Sequence, residues 1–127
     1  MNLIHRAFIA SLIGAAGVMT AGAQTATVDP VKLSPQYYAV KSESDRVRVL
    51  EYRLKPGEKE VMHTHPHYVV YFFGPAKLRA TGPDGKTSDG SVTEGEVLIR
   101  DPLSHAVENV GTTDLHALLI ELKPEPR

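Results

Sequence analysis

The sequence predicts an all-β domain, a sandwich or barrel built from seven or eight short strands. Two observations carry this. From Arg46 onward the chain is a series of short β-branched and aliphatic segments, several of them alternating in polarity. Turn-forming clusters separate these segments at regular spacing: KPGE (55–58), GPDGK (82–86), DPLS (101–104) and GTTD (111–114). No internal repeat long enough for a solenoid is present.

Taken in order, residues 46–54 (RVRVLEYRL) alternate cleanly and read as a strand. Residues 59–65 (KEVMHTH) and 68–73 (YVVYFF) are extended and are parted by Pro66. AKLRAT (76–81) is a strand ending in the GPDGK hairpin turn, where Gly85 suits a positive φ. EVLIR (96–100), HAVENV (105–110) and DLHALLIEL (114–122) follow, and only the last has a length and pattern that also allow a helix. The 46–122 barrel is preceded by a polar segment, 24–45, with Pro30 and Pro35. That segment reads as a tether with a short edge strand at YYAV (37–40). The tail, 123–127, is broken by prolines.

Residues 1–23 have the layout of a secretory signal peptide: one cation at Arg6, an apolar run from Ala7 to Met19, and small residues at Ala21 and Ala23. Cleavage after Ala23 leaves about 100 residues, one small domain with one core. The expected location is therefore periplasmic or secreted, with no stable membrane insertion after cleavage.

The formal net charge of −1 offers no basic field for nucleic acid and no polybasic segment for a lipid surface. The absence of cysteine excludes disulfides, thiol catalysis, thiolate metal sites and a lipoprotein anchor. Any transition-metal site must be built from histidine and carboxylate. No Gly-rich phosphate loop and no G-x-S-x-G elbow occurs.

Three of the six histidines, His63, His65 and His67, stand at alternate positions in VMHTHPHY (61–68). Residues i and i+2 of a strand share a face, so His63 and His65 aim at one point and form a two-pronged metal ligand. A closed site needs a third donor from elsewhere. His105, opening a strand after a proline turn, is the candidate. His116 reads as a core or interface residue.

These residues carry a resemblance. Gly57, five residues and His63-Thr-His65, followed by Gly95, Pro102, His105 and Asn109, are similar to the two signature motifs of the cupin superfamily, over roughly residues 46–122. The resemblance implies a single-domain jelly-roll barrel with a divalent metal ion (Fe, Mn, Ni or Zn) held by His63, His65 and His105. The family's glutamate ligand falls here on Val69 or Val70, so the centre resembles the three-histidine cupins, which often hold iron and act as oxygenases.

His67 is the candidate replacement ligand if the strand stays regular past Pro66; otherwise it is solvated at the barrel mouth. Asn109 is expected to support a turn or the ligands from behind. Continuing the phase of His65 turns Val69, Tyr71 and Phe73 inward, with Tyr71 as candidate proton or hydrogen-bond donor. Arg48, Arg53, Arg79 and Arg100 lie on strands, and none is assigned to the site.

The expectation is an exported metal-dependent enzyme, dioxygenase-like or an isomerase or lyase, acting on a small oxygenated molecule. The alternative is a non-catalytic periplasmic protein binding a metal or a small ligand. The apolar ALLIEL (117–122) is expected to pair two copies into a homodimer.

Overall fold

The structure, a computed structural model, describes residues 28–126; the expected leader, 1–23, lies outside the described residues. A short helix, α1 (Pro30–Leu33), is followed by nine strands: β1 (Tyr38–Glu43), β2 (Val47–Leu54), β3 (His63–His65), β4 (Tyr68–Phe72), β5 (Ala76–Thr81), β6 (Thr87–Val92), β7 (Val97–Arg100), β8 (Leu103–Asn109) and β9 (Leu115–Leu122). They form a five-stranded sheet, β1-β2-β9-β4-β7, and a four-stranded sheet, β3-β8-β5-β6.

Alternation builds the core. On β2 and β9 every second residue faces inward, and the antiparallel register sets Leu54 opposite Leu115, Tyr52 opposite Ala117 and Leu50 opposite Leu119. Tyr68, Val70 and Phe72 join them from β4, and Val107 from β8. Fully burying a leucine side chain is worth roughly 1.5–3 kcal/mol, so this stripe supplies much of the stability.

Four features sharpen or correct the sequence reading. Of the strand and helix that residues 114–122 allow, Leu115–Leu122 form the strand, because β9 is sandwiched between β2 and β4 and its backbone groups pair on both sides. A helix not expected from the sequence lies at Pro30–Leu33, started by Asp29, whose side chain accepts a hydrogen bond from the Val31 N–H. The TSDGSV segment is a ninth strand. It is polar because its side chains are largely exposed, and the GPDGK turn pairs it along its length with β5. The short edge strand expected at residues 37–40 is present as Tyr38–Glu43, at the edge of the five-stranded sheet, and Tyr38 is buried in the core.

Gly85 has φ 79° in its turn, as its sequence context requires, and the motif glycines Gly57 and Gly95 have φ 83° and 80°. Each of the two motif glycines thus turns the chain ahead of a segment that contributes to the barrel interior.

Candidate metal centre

β3 and β8 pair so that His63 lies directly opposite His105. Strand alternation adds His65 on the same face as His63. The two-pronged strand and the distant histidine thereby meet: donor nitrogens of His63, His65 and His105 all lie within 4.8 Å of one another. His63 and His65 are almost wholly shielded, at 0% and 1% exposure, and His105 is half-buried.

The hydrogen bonds behind the rings decide what the front can do. His63 Nδ1–H donates to the Val61 carbonyl at 2.9 Å, and His65 Nδ1–H donates to Glu121 Oε1 at 2.9 Å. A carbonyl and a carboxylate only accept, so both neutral rings carry their proton on Nδ1 and present a bare Nε2. Those two Nε2 atoms are 2.9 Å apart. Two lone pairs that close, with no proton between them, repel unless a cation stands in front of both. Two nitrogens about 2.0–2.1 Å from a common ion, at right angles, are separated by about 2.9 Å. The residues fit a divalent transition metal.

Electrostatics keep the rings ready. Burial holds His63 down to about 4, with the neighbouring His65 adding to the effect. Burial likewise holds His105 at about 3, assisted by His63, His65 and the Arg100 guanidinium. Near neutral pH both are uncharged, the form in which an imidazole can bind a metal.

Carboxylates support the cluster from two sides. Glu121 is buried and holds His65; its other oxygen accepts from Arg48 Nε at 2.8 Å, and Arg48 grips Asp29 through two bonds of 2.9 and 3.1 Å. Burial works against the Arg48 charge, but Asp29 and Glu121 overcome it and raise its pKa above the usual value. A chain of charge-assisted bonds therefore runs from the N-terminal helix to a ligand ring. On the other side Glu60 is buried, 3.7 Å from His63 Nε2, and accepts from the Tyr38 and Tyr52 hydroxyls at 2.8 Å each. Burial pushes its carboxyl up to about 7 against the pull of those two hydroxyls. A cavity of about 490 Å³ opens in front of the cluster, walled by Glu60, His65, Tyr68, Phe72, Arg100 and His105 among others.

Some expected residues lie elsewhere. His67 is exposed, its Nδ1 3.6 Å from Asp101, and is not brought to the cluster. The chain passes from one sheet to the other at Pro66 and His67, and this corner shifts the phase by one residue. His65 and Tyr68 consequently both face inward, their ring centroids 4.7 Å apart. The same shift reverses β4: Tyr68, Val70 and Phe72 point in, whereas Val69, Tyr71 and Phe73 point out. Tyr71 packs edge-on against Phe73 on the outer face and is no part of the cavity wall.

Asn109 is buried, but its bonds go to backbone: Nδ2 donates to the Leu54 and Thr113 carbonyls, and Oδ1 accepts from the Gly111 N–H. It pins turns and supports no ligand directly. His116 stacks on Phe73 outside the cavity.

The sequence reading missed Glu60, Glu121, Tyr38 and Tyr52. Glu121 carried a signal, since it shares the inward phase of Leu115, Ala117 and Leu119, where a carboxylate demands a partner. Glu60 lies in the spacer between Gly57 and His63, off any regular strand, and periodicity could not orient it.

No family model matches the sequence, and no curated protein does. Among solved structures, the chain is similar to a cupin domain from Bordetella pertussis Tohama I, with 29% identity and TM-score 0.63 over 68% of this chain and 92% of that one. It is similar in fold to a Bacillus halodurans protein, with 16% identity and TM-score 0.55 over 84% of this chain and 87% of that one. It is also similar in fold to Bacillus subtilis oxalate decarboxylase, described for its Mn(II) centres, with 24% identity and TM-score 0.50 over 72% of this chain and 26% of that one. The chain is a small protein of the cupin fold, with a three-histidine cluster suited to holding a metal ion.

Proposed function

We propose that this protein is an exported metal-dependent cupin enzyme acting on a small oxygenated molecule, with dioxygenase chemistry first and isomerase or lyase chemistry behind it. The observation that carries the reading is the pair of bare Nε2 atoms of His63 and His65, 2.9 Å apart, with His105 beside them at the wall of a cavity. His63, His65 and His105 would hold the ion, which supplies Lewis-acid polarisation of a coordinating substrate oxygen or, as iron, activation of dioxygen. Glu121 and the Val61 carbonyl orient two of the rings. The cavity's apolar wall, including Val70, Phe72 and Leu119, excludes water from the far side of a bound molecule. Glu60 places a second carboxyl group 3.7 Å from His63 Nε2, set by its two tyrosines.

A cavity of about 490 Å³ beside the three histidines, roomy enough for a small molecule, supports turnover over simple metal storage. Export rests on the leader-like residues 1–23. A homodimer belongs to the same proposal: Val69, Leu118 and Ile120 point outward from the five-stranded sheet, and Ile99 in the same row is 83% exposed.

The test is elemental analysis of the mature protein from the periplasmic or secreted fraction, beside the His63→Ala/His65→Ala double variant. About one Fe, Mn, Ni or Zn per chain in the wild type and none in the variant is expected. No metal in either, with a melting temperature indifferent to added metals, would sink the reading.

A further inference from the structure

Arginine placement divides the barrel's cations into spent and unspent. Arg46 pairs with Glu125, Arg48 with Asp29 and Glu121, Arg53 with Glu51, and Arg79 with Asp89. Arg100 alone among the described arginines has no carboxylate within ion-pair distance. Arg100 is exposed, yet it is also part of the cavity wall. On β7, Val97 and Ile99 point outward, so Arg100 takes the opposite face. Cross-strand register sets it beside Tyr68, which in turn faces Glu121. Both Tyr68 and Glu121 point into the barrel, and Arg100 lines the cavity together with His105. Asp101, the adjacent acid, is 97% exposed and turns toward His67.

We propose that Arg100 is the anchor for a carboxylate group on the substrate, which would make the substrate a small organic acid that reaches from the metal cluster to Arg100 on the cavity wall. This deepens the proposed function and rests on it for the metal. The planar guanidinium offers paired donors that match a carboxylate's two oxygens. The charge balance favours a monoanion over a dianion such as a phosphate ester. The same cavity wall carries Glu60, Asp89 and Glu96, and a second negative charge would meet them. Of those acids, Asp89 is engaged with Arg79 and Glu96 accepts from the Thr93 N–H, so neither competes for Arg100.

The experiment is calorimetric titration of the Co(II)-loaded and the metal-free protein with glycolate and lactate, each beside its neutral amide. Wild type, Arg100→Gln and Arg100→Lys are compared, with cobalt occupancy read from the visible spectrum. The expected result is tighter binding of at least one acid than of its amide. That acid weakens about 10- to 100-fold in Arg100→Gln and recovers in part in Arg100→Lys, while the amides are unaffected. Equal acid affinity in wild type and Arg100→Gln overturns the proposal, as does failure of every acid to bind better than its amide. A wild type that takes up no cobalt but binds an acid through Arg100 would instead refute the metal reading and leave the anchor standing.

Discussion

The inward stripe shared by β2 and β9 changes character along its length. At one end Leu54 faces Leu115, Tyr52 faces Ala117 and Leu50 faces Leu119. One step further the same register sets Arg48 opposite Glu121, and Glu121 holds His65. Backbone, pairing and burial continue unchanged, but the physics does not. The apolar end gains by leaving water, at about 25 cal/mol per Å² buried. Every group at the polar end must find a partner or cost stability. The barrel is therefore held together at one end and made chemically specific at the other, and the two ends should fail in different ways.

Acid should produce the largest difference between them. In the metal-free protein burial lowers His63 to about 4 and His105 to about 3, against a usual 6.5. The unfolded chain thus binds protons that the folded one refuses. This stability is complete above pH 6.5 and is lost as pH falls toward those values. Glu60 works in the opposite sense. Burial raises its pKa from 4.5 to about 7, so its contribution is present below 4.5 and is lost as pH rises through 7. Two imidazoles outweigh one carboxyl in the acid range. Melting of the metal-free protein should peak near pH 6.5 and fall on the acid side. A flat acid limb would show that the polar end is not held neutral.

Next in size is Leu115→Ala, which empties a fully buried site in the apolar stripe. It should cost about 2–5 kcal/mol in denaturant unfolding while metal bound per folded chain stays at the wild-type level. Metal lost from a variant that is still folded would mean that the two ends cannot be separated.

The smallest effect expected is that of Glu121→Gln, which weakens the grip on His65 without removing a ligand. Metal affinity measured by chelator competition should fall about 10- to 100-fold. Tyr71→Phe, on the outer face, should leave it unchanged. Equal affinities in all three proteins would remove Glu121 from the centre's design.

Legibility followed local periodicity. The i, i+2 spacing of His63 and His65 needs only a strand, and β3 provides it. His105 was reachable through the second motif, although its cross-strand position opposite His63 is a fact of register. The errors cluster at Pro66 and His67, where the chain changes sheets. A phase carried through that corner put Tyr71 inside and Tyr68 outside, the reverse of the structure. Arg100 was visible as one strand arginine among four; only the partners of the other three single it out.

By itself the sequence determined an all-β chain with turns near their observed places, a pair of histidines aimed at one point, and a third to complete them. These depend on alternation and turn chemistry, which act between neighbours along the chain. Tertiary structure decided which carboxylates stand behind the ligands, which side of β4 faces the cavity and which arginine is free to meet a ligand. Those depend on how strands distant in sequence are registered against one another, and a pairing shifted by one residue turns every side chain to the other face.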